Sequence, residues 1–359
     1  MKGVLIGIGI IILAGIIAYA VWFKSTAKSQ VKLKGIIGSE KSGFLENEKV
    51  KQILKDKYGI TLDYTRAGSI EMVSQPVKDD IDFLWPSSQV ALEIFKTNQP
   101  AKLVKSDLIF NSPIVIYSWD IVVNALVAKG IVKKEGEIYY ITDMPGLIDY
   151  IRKGKKWADI GLTDLYGRVN IITTDPTTSN SGNMYAGLVA NIINKDVVSS
   201  EIALDSLLPV LKDIFNKQGF QQTSSGFLFE QFLKTGVGQY PMIAGYENQI
   251  IEFSLLHKDF WPQINNKIKI LYPLPTVWSE HPVIALNKKA TILIDALKDE
   301  EIQKIAWEEH GFRTGLLGVQ NDPKILKVAG IAETIKQTVP MPKAAVMEKI
   351  ISSISNNSQ

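Results

Sequence analysis

Four turns rich in hydroxyl groups are the part of this sequence best suited to chemistry. Ser39 and Ser42 separate a β-rich run from a helical one, Ser69 closes Ala67-Gly68-Ser69, and Ser87 and Ser88 close Trp85-Pro86-Ser87-Ser88. The fourth turn reads Thr177-Thr178-Ser179-Asn180-Ser181-Gly182. Hydroxyls both donate and accept, and a helix that starts beside them leaves free N–H groups and a partial positive charge. Collected around one cleft, such turns would hold a small ligand by hydrogen bonds without a formal cation. One Ser or Thr before a helix is an ordinary N-cap. Four in comparable positions, one of them nearly continuous, point to a binding site. No arginine lies in any of the four turns, which suits a ligand held by dipoles better than a carboxylate gripped at two points.

Other chemistries lack their residues. The chain has no cysteine, which excludes a disulfide framework, a thiol nucleophile, a Cys-ligated zinc, an iron–sulfur cluster and a lipid-modified N-terminal Cys. There is no Gly-x-Ser-x-Gly elbow, no phosphate-binding Gly-x-x-x-x-Gly-Lys-Ser/Thr loop and no His-Glu-x-x-His helix. The histidines His257, His281 and His310 are far apart and read as structural. Ser25-Thr26-Ala27-Lys28 fits a Ser-x-x-Lys pattern but has no Lys-Thr-Gly companion, so it reads as linker. No metal, cofactor or catalytic residue is expected, and none of these serines has a base beside it in sequence. The 40 Lys and Arg nearly cancel 37 Asp and Glu, leaving +3, which excludes a surface that is basic throughout and with it a nucleic-acid role.

The elements that must position these turns alternate. Strand-like runs at 31–37, 60–65 and 81–85 are each followed by a helical pattern, at 46–57, 70–77 and 89–96, as in a parallel sheet with helices on its faces. In such sheets ligands bind beyond the carboxyl ends of the strands. An apolar strand at 112–117 interrupts the alternation. Helices are expected at 119–129, 145–153, 182–194, 204–218, 227–235, 290–298 and 300–311, the last capped by Asp299. Further strands are expected at 169–173, 239–244, 267–271 and 281–286. Tyr58, Tyr64, Tyr117, Trp85, Trp119 and Trp157 fall in apolar runs and read mostly as core, with Trp85 and Trp119 also candidates for the cleft wall. The tail at 356–359 is polar and is expected to fray. At 359 residues the chain allows about two domains.

Residues 3–23 carry no charge, and 21 helical residues at about 1.5 Å each span about 30 Å, the depth of a bilayer core. Tyr19 and Trp22 then lie near one boundary, where aromatic side chains favour the interface. Ala18-Tyr19-Ala20 also resembles a signal-peptide cleavage site. The length and the late Trp22-Phe23 favour a retained anchor. Lys24, Lys28, Lys32 and Lys34 outnumber Lys2, which by charge alone would put the main domain in the cytoplasm.

Three stretches carry a family resemblance. Trp157-Ala158-Asp159-Ile160-Gly161 with Leu165-Tyr166-Gly167-Arg168-Val169 precedes a ligand loop, Asp175-Pro176 followed by residues 177–182 is similar to that loop, and His281-Pro282-Val283-Ile284-Ala285-Leu286 with Ile302-Gln303 and His310-Gly311-Phe312-Arg313 is like the closing segment. Together they resemble the type II extracellular solute-binding proteins of ABC transporters, in particular the molybdate and sulfate binders, over nearly all of the chain after the membrane segment. The resemblance implies an α/β, two-lobed periplasmic-binding-protein-like (type II) fold with a hinge, preceded by one N-terminal transmembrane helix. Residues 1–24 form the anchor or uncleaved signal, 31–116 with 276–350 form lobe 1, and 117–275 form lobe 2. The crossings fall near 112–117 and 275–284.

It further implies first-lobe contacts from Ser39, Ser69 and Ser88 and second-lobe contacts from Thr178, Ser179, Asn180 and Ser181. Tyr246 falls where oxyanion-binding members use a tyrosine hydroxyl, and Ser42, Ser87 and Glu247 are further candidates. Glu247 sits poorly with an anion: it points away, pairs with a cation, or marks a cationic or zwitterionic ligand. The function implied is capture of a small solute, first of all an oxyanion such as molybdate, tungstate, sulfate or phosphate, and its delivery to an ABC transporter permease. The protein is read as a monomer and not an enzyme, its main domain outside the cell and its N-terminal helix in the cell membrane. The alternative is an extracytoplasmic ligand sensor or envelope-stress accessory protein on the same fold.

Overall fold

The computed structural model describes residues 30–316 and 320–355. β1 (Val31–Ile37) buries Leu33 and Ile37 and leads through a 3-10 turn at Ser39–Lys41 into α1 (Ser42–Glu46) and α2 (Glu48–Tyr58). Asn47 caps α2 by accepting from Lys49 N–H, and Gly59, at φ 68°, ends it in the left-handed conformation that glycine adopts freely. β2 (Ile60–Arg66), α3 (Glu71–Ser74), β3 (Phe83–Trp85) and α4 (Gln89–Asn98) follow. Then come the 15-residue β4 (Lys105–Trp119), α5 (Asp120–Ala128), the hairpin β5 (Val132–Glu135) with β6 (Ile138–Ile141), and α6 (Met144–Arg152). An irregular stretch precedes α7 (Asn180–Asn194), α8 (Glu201–Asp205), α9 (Leu208–Asn216) and α10 (Ser225–Thr235). β7 (Met242–Tyr246) runs into α11 (Glu247–Leu256), followed by α12 (Trp261–Ile264), β8 (Ile268–Pro273) and β9 (Trp278–Ala285). The described chain closes with α13 (Thr291–Leu297), α14 (Glu300–His310) and α15 (Ala344–Ser355).

The strands form one mixed sheet in the order β2-β1-β3-β9-β4-β8-β6-β5, with β7 also pairing β4. β1 is parallel to β2 and β3, as the βα alternation requires, while β9 returns antiparallel between β3 and β4. β4 changes partners midway: Lys105–Pro113 pair with β9, and Ile114–Trp119 pair with β7 and β8. Thr276, in the link from β8 to β9, donates from Oγ1 to Ile114 O at 2.6 Å where the partners change.

Two apolar cores form, and the larger crosses this division, taking in Leu84 of β3 and Ile284 of β9. One gathers Leu33, Phe44, Trp85, Phe110, Leu297 and Phe312 under β1, β3 and β9. The larger lies under β4, β7 and β8 and continues from Tyr117, Trp157 and Leu188 to Phe95 of α4 and Met347 of α15. Each fully buried large side chain contributes about 1.5–3 kcal/mol. α15 packs on α4 as well as on α7, α8 and α9.

Several sequence expectations change. Residues 169–173 form no strand, since Ile172 alone bridges to Ile243. The helix expected at 204–218 is two helices, and Pro209, which has no N–H, opens the second. The strand expected at 112–117 starts seven residues earlier, and α11 and α15 were not anticipated. Trp85 and Trp119 belong to the core, at 0% and 8% exposure. The proposed anchor at 1–24, the linker serine Ser25 and the tail at 356–359 lie outside the described residues. Among the described residues no helix is long and apolar enough to cross a membrane.

Candidate functional site

The turns that leave β1 and β2 meet the start of α7 and the end of β7 around a cleft of about 360 Å³. Ser39, Ser69, Thr178, Ser179, Asn180 and Tyr246 all border it. The two walls touch. Asn180 Nδ2 donates to Ser87 O at 2.7 Å, and a Cβ on Gly68 would stand 2.1 Å from Thr178 O. Ser179 occupies the N-cap position of α7 without using its side chain as a cap, so the positive end of a 15-residue helix faces this wall.

The remaining candidates lie elsewhere. Ser88 is buried and accepts from Val90 N–H at 3.2 Å as the N-cap of α4, away from the cleft. Ser181 is buried one step into α7, 2.7 Å from Thr174 Oγ1. Ser42 is buried and its hydroxyl has no partner. Ser87 is buried beneath the cleft, where its N–H donates to Ser69 Oγ at 2.9 Å. Glu247 turns away altogether: Arg313 grips it through Nε at 2.6 Å and Nη2 at 2.9 Å, and Tyr272 Oη donates to it at 2.5 Å. Its charge is spent inside the core, so it does not repel an anion in the cleft.

Sequence reading by hydroxyls alone missed the charges. Glu40 and Lys41 sit in the same turn as Ser39, and Lys41 is completely buried. Its ammonium donates to Glu40 Oε1, to Ser87 Oγ at 2.6 Å and to His281 Nδ1 at 3.2 Å. Ser87 Oγ also donates to Glu40 Oε1. With Nδ1 accepting, the His281 proton lies on Nε2 and is donated to Ser279 Oγ at 3.2 Å, and that hydroxyl donates to Ser87 O at 2.9 Å. Burial opposes ionisation of Glu40, yet the Lys41 ammonium and the Ser87 hydroxyl outweigh it and hold its carboxyl at about 2. Burial, then the Lys41 charge, pushes His281 well below its usual range, so it stays neutral. Burial also keeps the Tyr246 phenol protonated, able to donate.

Gly38 is required here for its missing side chain, since a Cβ would stand 2.4 Å from Glu40 Oε1 and 2.8 Å from Ser87 Oγ. Lysine beside serine is also the pairing of Ser–Lys hydrolases. In this chain both groups have no exposure, and the lysine is neutralised by a carboxylate rather than freed as a base.

A second chamber of about 390 Å³ opens beside the first and shares Ser39, Glu40, Arg66 and Ser224 with it. Its own walls are Phe227, Phe253, Leu256, His257, Glu230 and Glu252, among others. Asn180, beside the first chamber, and Asn248, beside the second, each bury one amide atom without a partner, Oδ1 and Nδ2, out of reach of the cleft. Among the described residues no cluster of ligating side chains fits a metal ion.

No family model matches the sequence, and no curated protein matches it. Solved structures do match in fold. Iron-bound HitA from Pseudomonas aeruginosa aligns with TM-score 0.57 at 13% identity, over 92% of this chain and 100% of its own. The sulfate-binding protein SubI from Mycobacterium tuberculosis H37Rv aligns with TM-score 0.53 at 14% identity, over 91% and 96%. A two-component system protein that mediates signal transduction aligns with TM-score 0.55 at 13% identity, over 90% and 100%. Further matches are periplasmic and extracellular solute-binding proteins and an ABC transporter. At these identities the shared property is the fold: the chain has the mixed α/β architecture of the periplasmic binding proteins.

Proposed function

We propose that this chain is an extracytoplasmic solute-binding protein that captures a small ligand bearing an oxyanion group and presents it to an ABC transporter permease. The observation that carries the reading is the meeting of Ser39 and Ser69 with Thr178, Ser179, Asn180 and Tyr246 at one cleft, from opposite sides of the sheet crossing. In this reading residues 31–116 with 276–350 move as one lobe and 117–275 as the other, hinged where β4 changes partners. Residues 1–24 tether the domain to the cell membrane, and a monomer suffices because one chain supplies both walls. The α7 N-terminus, the serine hydroxyls and the Tyr246 phenol face the oxyanion, and closure strengthens each contact by excluding water.

The test is a thermal-shift panel on the full chain in detergent, with oxyanions, ferric iron, amino acids and sugars. A ligand at 100 times its Kd adds about 2.7 kcal/mol of stability. For the best ligand, Ser69→Ala and Ser179→Ala are each expected to cost about 1–3 kcal/mol of binding, the penalty for a hydrogen bond left unmade. Unchanged affinity in both variants would place the ligand elsewhere.

A second reading, ligand sensing, draws on the fold match to a two-component system protein. A sensor and a transport protein would share this cleft and differ in their partner, a kinase or a permease.

A further inference from the structure

Glu252 and His310 meet from different halves of the molecule, at the wall of the second chamber. Glu252 lies on α11, which joins the larger core through Ile250 and Ile251. His310 ends α14, which with α1 and α2 covers the core beneath β1, β3 and β9. The two helices pack together, and Glu252 Oε1 stands 2.7 Å from His310 Nδ1. Gly43 of α1 leaves the space for this, since a Cβ there would stand 2.1 Å from the same oxygen. His310 is only 4% exposed.

The other ring nitrogen fixes the proton. Asn47 Oδ1 accepts from Lys49 N–H at 3.0 Å as the cap of α2, so the amide nitrogen faces the other way. It donates to Glu309 Oε2 at 2.9 Å and lies 3.0 Å from His310 Nε2. An amide NH2 only donates, so Nε2 accepts, and the proton of the neutral ring sits on Nδ1, donated to Glu252. A second proton on the ring would set N–H against N–H. Turning Asn47 over relieves this but gives up the α2 cap and the bond to Glu309.

In return the imidazolium gains the attraction of the Glu252 carboxylate, which has 19% of its side chain exposed and is little screened by water. The other charges around the ring are already matched. On α14 itself Lys49 takes Glu309 at 2.6 Å and Lys304 lies 3.8 Å from Glu308. Lys51 takes Glu48 of α2 at 2.8 Å, and Arg66 takes Glu46 of α1 at 3.3 Å. In the chamber wall Glu40 is held by Lys41, and beyond α14 Arg313 is held by Glu247. His257, further along α11, lies against Phe253. Among the described residues Glu252 has no partner besides His310.

Resting on the solute-capture reading and its two hinged lobes, we infer that Glu252 and His310 form a proton-sensitive clasp that closes the cleft in acid before any ligand arrives. Histidine is the side chain that changes charge between about pH 5 and 8. At the upper end one hydrogen bond from a neutral ring joins the lobes. At the lower end an ion pair does. The fraction of protein open to ligand then falls with pH, and apparent affinity falls with it.

The experiment measures the distance between the lobes by pulsed electron spin resonance, on the full chain in detergent without ligand. The chain has no cysteine, so Asn124→Cys in α5 and Asp295→Cys in α13, both exposed, carry the only two spin labels. The population with the shorter distance is expected to grow about fivefold or more between pH 8 and pH 5.5, the low end of ordinary coupling between two sites. His310→Gln takes up no proton and Glu252→Gln does not attract one, so each is expected to give one distribution at both pH values. A longer distance in acid, an unchanged distribution in the parent, or a parent-like response in either variant overturns the clasp. The parent decides the matter if neither variant folds. If the distance ignores pH but shortens with a ligand from the thermal-shift panel, the clasp falls and solute capture stands. If it answers neither, the hinged capture reading falls as well.

Discussion

Lys41, completely buried, and Glu40, with 9% of its side chain exposed, form an ion pair at the base of a cleft, and the cost of desolvating them is met by four hydrogen bonds, three of them through Ser87 and His281, rather than by Coulomb attraction alone. Removing one partner leaves the other charge stranded. Lys41→Met is therefore expected to destabilise the fold by about 3–5 kcal/mol, read from urea melts, while Glu40→Gln with Lys41→Met recovers most of the loss. Equal losses in the single and double variants would show that the pair is not coupled. Acid should act in the same direction. The Glu40 carboxyl stands at about 2 against an ordinary value of 4.5, so the stability it contributes is present above 4.5 and lost as pH falls towards 2. His281 is held neutral, so the unfolded chain gains a proton below about 6.5 that the folded chain refuses. His281 predicts a urea midpoint that drops from pH 7.5 to 5.5, and Glu40 adds a steeper fall below 4.5. A midpoint that rises over that interval would contradict the assignment of charges.

At the scale of elements, the cleft depends on how closely two turns approach. Gly68, between β2 and α3, faces the Thr178 carbonyl at the entrance to α7 with no space for a methyl group. Gly68→Ala should wedge the walls apart, weakening ligand binding at least tenfold, with a modest stability loss of about 1–3 kcal/mol from overpacking. Small-angle scattering of the ligand-saturated variant should report a larger radius than the parent, and an unchanged radius and affinity would mean the turns yield freely. The turns themselves were readable, because Ser or Thr between an apolar strand and an amphipathic helix has a local signature. Other features had none. Glu40 and Lys41 look like any solvated pair until the fold buries them. Residues 105–110 mix Lys, Ser and Asp with apolar side chains, so the first half of β4 reads as a loop. α11 begins with Glu247, Asn248 and Gln249, polar residues that tertiary partners bury, and this hides its helical period. Glu247 could not be oriented without Arg313, which lies 66 residues away.

Across the whole molecule, α15 complicates any hinge. It packs on α4, which carries Ser88 at its start, and on α7, which presents Ser179 and Asn180 to the cleft. Its Met347 lies buried against Gly187 of α7, where a Cβ would stand 3.1 Å from Sδ. Movement of one half against the other must therefore shift α15 or slide it over α7. Met347→Ala would leave a cavity, costing about 2–5 kcal/mol, and would loosen the seat of the helix whose N-terminus borders the cleft. Ile109→Val, in the other core beneath β4, should cost about 0.5–1.5 kcal/mol without touching α7. If α15 sets the resting position of the two halves, calorimetry at temperatures where both variants are fully folded will show altered ligand affinity for Met347→Ala and parental affinity for Ile109→Val. Parental affinity in both would mean that α15 stabilises the fold without biasing the cleft.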